Sequence, residues 1–313
     1  LYYILLFCLI FSCKERNLEV VSTQKNHFNH QIFEENKLAP RATFFAFENK
    51  HEIEKENSKR FYSLNGDWKF NFVKDPKKRP TTFQNIAFDD TNWNTIKVPS
   101  NWEVEGYDYP IYLDERYPFT TKWPDAPTDY NPVGTYRKEL LLDAKFLSEE
   151  TILHFAGAKS AMYVYINGTY VGYSQGSKTP AEFNVTKFLK DGKNVIALQL
   201  FRWSDASYLE SQDMLRMSGI EREVYLYSRP KVYVSDYHAK TTLDDLYTDG
   251  IFNGTFSIHN ETDKTVTKEI TISLKNEFKE TSKIEIEANS TVDFKVEKII
   301  KNIKSWSAEI PNL

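Results

Sequence analysis

The sequence predicts an all-β protein built of two antiparallel sandwiches. Short runs of alternating apolar and polar residues recur along most of its 313 residues, at the roughly 8–12-residue spacing of a sandwich. Asn-Gly and Asp-Gly pairs stand between several of these runs. No stretch carries the 3.6-residue period of a long amphipathic helix.

The N-terminal stretch stands apart from this pattern. LYYILLFCLIFS, residues 1–12, is a continuous apolar run. It is too short for a membrane-spanning helix, which needs about 20 residues, and has the length of a signal-peptide h-region. The chain opens on Leu1 rather than Met, so an n-region is expected upstream. Ile10-Phe11-Ser12-Cys13 resembles a bacterial lipobox, with a small residue before the cysteine and charges after it. Residues 1–13 are therefore expected to be a signal peptide. Cys13 would be the lipidated first residue of a protein anchored in the bacterial cell envelope, periplasmic or at the surface. An ordinary signal peptide with an incidental cysteine is the plainer alternative. Residues 14–35 are polar and aperiodic, the composition of a tether.

From Phe61 the pattern changes. FYSLNGDWKFNFV alternates and carries Asn65-Gly66, a hairpin signal. YRKELLLD, ETILHFAGA, AMYVYINGTYVGYSQ and KNVIALQLFRW follow as strand-like runs. Asn167-Gly168 supplies the two positive φ angles of a two-residue turn between alternating strands. AEFNVTKFLKDGKN reads as a connecting loop with a short helix, closed by Asp191-Gly192. Arg229-Pro230 marks a boundary, so the first domain is drawn over residues 36–228. Beyond it KVYVSDYHAKTTL, GIFNGTFSIHNET, TVTKEITISLKN, TSKIEIEA and STVDFKVEKI form a second set, richer in Thr, Lys and Glu. Residues 229–313 are read as an immunoglobulin-like sandwich. Such a domain takes about 100 residues, so it is expected to stop short of its last strand.

The chain has two cysteines, Cys8 and Cys13, so neither disulfides nor a cysteine-ligated metal can hold the two domains together. With 40 basic and 44 acidic residues, a net charge of −4 and no basic stripe, nucleic acid is excluded as a partner. The six histidines are scattered and suggest no transition-metal site. RWSDASYLESQDMLRMSGI, residues 202–220, is too long and too charged for a plain connector: it holds Arg202, Asp205, Glu210, Asp213 and Arg216. An Asp after Ser at a strand exit usually makes an Asx-turn or a cap. Glu210 and Asp213 are expected to pair with Arg202, Arg216 or Arg222, or to accept loop N–H groups. Trp102 and Trp203 are expected in the core.

Seven blocks carry a family resemblance: LAPRATFFAFEN (38–49), SLNGDWKF (63–70), VPSNWEVEGYDYPIYLDERYPF (98–119), NPVGTYRKE (131–139), INGTYVGYSQGSKTPAEFNVTKFL (166–189), RWSDASYLESQDMLRMSGIEREVYL (202–226) and WSAEIPNL (306–313). In this order they resemble glycoside hydrolase family 2, most closely its β-galactosidases of the lactose-operon type. The resemblance implies a jelly-roll sugar-binding domain, an immunoglobulin-like domain and then a TIM barrel. The barrel takes about 250 residues and is absent here. So are the two catalytic glutamates it carries, which lie about 5 Å apart in retaining enzymes. The Asn-Glu pairs at Asn260-Glu261 and Asn276-Glu277 lack the preceding Trp-Gly or Trp-Ser of the family's acid/base, so no catalytic residue is assigned. The resemblance places Asn101 and Asp205 on the substrate, with Asp205 also a sodium ligand. Magnesium, if bound, would draw its ligands from the barrel. It implies a β-galactoside oligosaccharide as substrate and the chain's own barrel as partner, and it leaves room for a homo-oligomer. Two other readings compete: a non-catalytic carbohydrate-binding surface lipoprotein, and a family 2 enzyme acting on glucuronides or mannosides.

Overall fold

The computed structural model describes residues 24–114 and 116–312. The strands begin with β1 (Glu34–Glu35), β2 (Phe61–Ser63), β3 (Gly66–Val73), β4 (Asn94–Val98), β5 (Ser100–Asn101), β6 (Ile111–Leu113) and β7 (Val133–Leu142). They continue with β8 (Glu150–Phe155), β9 (Ala158–Lys159), β10 (Ala161–Ile166), β11 (Thr169–Ser174), β12 (Ala181–Asn184), β13 (Gly192–Phe201) and β14 (Met214–Arg216). The last are β15 (Gly219–Ile220), β16 (Val224–Arg229), β17 (Val232–Leu243), β18 (Gly250–Asn260), β19 (Val266–Leu274), β20 (Phe278–Ile286) and β21 (Ser290–Ile300). The described helices are short 3-10 turns, so the all-β expectation holds.

The first domain packs a seven-stranded sheet, β1-β11-β10-β13-β7-β3-β4, on a four-stranded one, β12-β8-β16-β2. Strand alternation decides which side chains meet between them. On β10, Met162, Val164 and Ile166 face the shared core, and on β13 so do Ile196, Leu198 and Leu200. The four-stranded sheet answers with Leu153, Phe155, Phe183, Val224 and Leu226. Trp68, Phe70, Trp102 and Tyr136 fill one end of this layer. Each buried side chain of this size contributes roughly 1.5–3 kcal/mol by leaving water.

Asn167-Gly168 makes the predicted turn, with φ of 51° and 87° between paired Ile166 and Thr169. Asn65-Gly66 does not make a hairpin. β2 pairs with β16, while β3 pairs with β4 and β7, so the chain crosses here from one sheet to the other. The positive φ of Gly66 serves that corner. The Asn65 carboxamide oxygen pins it by accepting from the Val224 N–H at 2.9 Å, and the Trp68 indole donates to the Leu64 carbonyl at 2.8 Å.

The tether drawn over residues 14–35 is corrected from residue 24 onward. β10 and β13 are apolar on both faces, so the outer face of the large sheet also needs covering. Gln24 and His27 provide part of that cover and are 2% and 1% exposed. The His27 ring stacks on Phe201 at 3.9 Å, its Nδ1 meets the Tyr163 hydroxyl at 2.9 Å, and Glu34 and Glu35 pair with Ser174 and Tyr173. Residues 24–36 form a strap. Burial, with Arg79 adding to it, pushes the His27 pKa down to about 3 from 6.5. A depressed histidine stabilises the docked strap fully above its free value, and that contribution is lost as pH falls from 6.5 towards 3, at about 1.4 kcal/mol per pH unit. Protection factors over residues 24–30, which divide out the intrinsic pH dependence of amide exchange, are therefore expected to fall between pH 6.5 and 4.5, and a His27→Gln variant to lose that acid dependence.

The second domain opens at β17, after the break at Pro230. Its sheets are β17-β18-β21 and β19-β20, with Phe252, Ile258, Ile286 and Val296 buried and the Phe252 and Phe278 rings 5.2 Å apart. At the junction with the first domain, the Arg229 guanidinium lies 3.8 Å from the Tyr233 ring centre and donates to Glu150 at 2.9 Å. Burial, together with the neighbouring Glu150 carboxyl, pushes the Glu261 pKa up to about 7.

Candidate functional site

Asn101 ends β5 and pairs across β15 at Gly219, which on its other side pairs with Lys159 of β9. This three-stranded ribbon closes one end of the first sandwich. Asn101 is partly buried, and its Nδ2 donates to the Ser218 carbonyl and to Glu221, both at 3.3 Å. Lys178 forms an ion pair with the other oxygen of Glu221. Ser160, the residue after β9, shares a 2.7 Å hydrogen bond with Ser204, and Asp205 follows directly. The ribbon thus links the two residues singled out from sequence.

Asp205 opens the 3-10 turn Asp205–Tyr208, which Ser204 and Ser207 close with reciprocal cap hydrogen bonds. Such a cap satisfies orphan N–H groups and frees the Asp205 side chain from that duty. The carboxylate is half-buried. Gln175 donates to its Oδ1 at 2.9 Å. Burial raises the Asp205 pKa, while Gln175 and the charge of His30 oppose the rise.

The charges of the 202–220 loop divide as scaffolding. Arg202 is 0% exposed. Its guanidinium pairs with Asp108, lies 3.5 Å from Glu103, and donates to the carbonyls of Tyr109 and Arg216 at 3.1 and 3.0 Å. One side chain therefore ties the loop after Asn101 to both ends of the loop that carries Asp205. Glu103 accepts from the Ser218 N–H at 3.0 Å, yet burial still raises its pKa. Arg216 serves carbonyls too, those of Glu210, Gln212 and Leu113. Glu210 accepts from the N–H and hydroxyl of Ser177 at 2.7 and 2.6 Å, and the neighbouring Asp213 carboxylate raises the Tyr112 pKa. Trp102 and Trp203 are core residues, 0% and 2% exposed. Sequence reasoning missed Glu103, Asp108, Gln175 and Glu221. Cys13 lies outside the described residues.

Residues 61–230 match the family model described as the sugar binding domain of glycosyl hydrolases family 2. The chain belongs to glycosyl hydrolases family 2. Residues 232–313 match a second model of the same family. A beta-galactosidase of Priestia megaterium is 39% identical over 299 residues, which span 91% of this chain and 29% of that protein. A beta-galactosidase of Photobacterium profundum is 45% identical over 188 residues, 60% of this chain and 18% of that protein. Among solved structures, a calcium binding mutant of Bacteroides uniformis beta-glucuronidase 2 shares the fold, with a TM-score of 0.63 at 24% identity, over 80% of this chain and 29% of that one. The chain thus spans less than a third of the length of the curated relatives it matches.

Proposed function

We propose that this chain is the substrate-positioning portion of a retaining β-galactosidase that hydrolyses terminal non-reducing β-D-galactose residues of β-galactosides. The observation that carries the reading is the placement of Asn101 and Asp205 on two loops locked together by Arg202. A carboxylate accepts from sugar hydroxyls, and a carboxamide both donates and accepts. Fixing them in advance lowers the barrier by orientation. Both catalytic carboxylates come from a barrel outside this stretch, packed against these loops. The names of the relatives support galactose as the sugar.

Asp205 also suits sodium, because a half-buried carboxylate oxygen is a hard ligand for a hard cation. Among the described residues no group of three or more His, Cys, Asp or Glu could hold a metal. In this reading Asp205 gives one oxygen and the barrel gives the rest, together with any magnesium ligands. Bound there, the cation supplies positive charge for sugar hydroxyl oxygens. In the same reading Cys13 anchors the protein in the bacterial cell envelope.

The test is Asp205→Ala in the full-length protein, assayed on a β-galactoside. kcat/KM is expected to fall on the order of 10²-fold or more, the loss of one to two hydrogen bonds to a charged group, with an unchanged thermal melt. Near-normal kinetics, or turnover confined to β-glucuronides or β-mannosides, overturns the proposal.

A further inference from the structure

Gln175, the residue after β11, is 4% exposed and uses its carboxamide in two directions. Nε2 donates to Asp205 Oδ1 at 2.9 Å and to the Tyr173 hydroxyl at 2.7 Å. Oε1 accepts the N–H of Ala206 at 3.2 Å. Turning the amide over would set its oxygen against the carboxylate and its NH2 against an N–H, so one orientation is fixed. The backbone of Gln175 is fixed as well: its N–H donates to the Phe33 carbonyl at 2.9 Å, beside the pairing of Glu34 with Ser174. Among the described residues, Gln175 is the one side chain that donates to Asp205.

We propose that Gln175 is the positioning residue for the Asp205 carboxylate, holding Oδ1 and Ala206 together so that the second carboxylate oxygen is presented to the sugar. The proposal rests on the reading that Asp205 contacts substrate. A filler of the loop would need to satisfy only the Ala206 N–H. The donor half of the carboxamide serves the carboxylate as well as the Tyr173 hydroxyl and, at 3.5 Å, the Ile32 carbonyl, and its contact with the carboxylate is the one sensitive to charge.

The experiment compares Gln175→Ala, Gln175→Glu and Asp205→Ala in the full-length protein, singly and with Gln175→Ala and Asp205→Ala combined. Gln175→Glu is nearly isosteric and keeps an acceptor for Ala206, but it sets a second carboxylate beside Asp205. Like charges raise one pKa of such a pair. Both Gln175 variants are expected to lose about 10- to 100-fold in kcat/KM, carried mainly by KM. In Gln175→Glu the acid limb of the kcat/KM profile should also move to higher pH, which it should not in Gln175→Ala. The double variant should be no worse than Asp205→Ala, since the two act as one unit. Additive losses, equal losses with no pH displacement, or wild-type kinetics in folded Gln175 variants overturn the proposal while Asp205→Ala stays impaired. An unimpaired Asp205→Ala instead removes the functional reading beneath it. Thermal melts separate misfolding from either result, and Gln175→Glu remains informative if Gln175→Ala does not fold.

Discussion

Arg202→Leu is expected to lower the stability of the first domain by about 3–5 kcal/mol, the cost of removing one partner of a buried ion pair. The side chains of Arg202, Glu103 and Asp108 are all 0% exposed, so leucine would leave two carboxylates in the interior without a counter-ion. It would also leave the carbonyls of Tyr109 and Arg216 without their donor. The measurement is the urea midpoint of the first-domain transition. The loss should depend on pH with a definite sign. In the variant Glu103, whose pKa burial already raises, loses the opposing charge of Arg202, so the penalty is largest at neutral pH and shrinks as pH falls through the raised value. Arg202→Lys should recover little, because an ammonium cannot span two carboxylates and two carbonyls with one planar fork. A loss below about 1 kcal/mol, the size of an exposed pair, would mean that water reaches this cluster.

Gly219→Ala is the second large effect, about 3 kcal/mol, and it acts where Asn101 is held. Gly219 has φ of +127°, a conformation costing of order 1–3 kcal/mol for a residue with a side chain. A Cβ there would lie 2.6 Å from the Ser100 carbonyl oxygen and 3.3 Å from the Asn101 Cα. Neither neighbour is the free end of a flexible side chain, so the ribbon itself must shift. Gly106→Ala is the control: its φ is also positive, at +88°, but nothing lies within 4 Å of the added atom. The control should cost only the conformational part. Amide exchange at Ile220 and Trp102 should speed up in the first variant and not in the second. Equal exchange in both would show that the ribbon absorbs the methyl group.

Most strands were legible because their information is local: alternation sets the buried face, and Asn167-Gly168 supplies its own turn. The failures have a common cause in contacts that are distant along the chain. Asn65-Gly66 offers the same positive φ to a hairpin and to a corner between sheets, and only pairing with Val224 decides between them. The strap reads as polar because its anchoring rests on Gln24 and His27 rather than on a periodic face. At the site, Asn101 and Asp205 were found through motifs that resemble a family, and their supports were not found. Glu103 and Asp108 look like surface charges in WEVEGYDYP, and Asp108 lies 94 residues from the arginine that neutralises it.

The pairing of β2 with β16 has a consequence for how the protein is made. Phe61 finds its partner only in Tyr227, so the four-stranded sheet cannot close until the ribosome has passed that codon. At about 5–20 residues per second, the wait is on the order of ten to thirty seconds. Throughout it Trp68 and Phe70, both 1% exposed in the finished fold, face a layer that still lacks β16, the strand carrying Val224 and Leu226 into the core. The unfinished first domain is therefore expected to need its apolar surface shielded until β16 is available to it, and a chain ended before residue 224 should aggregate.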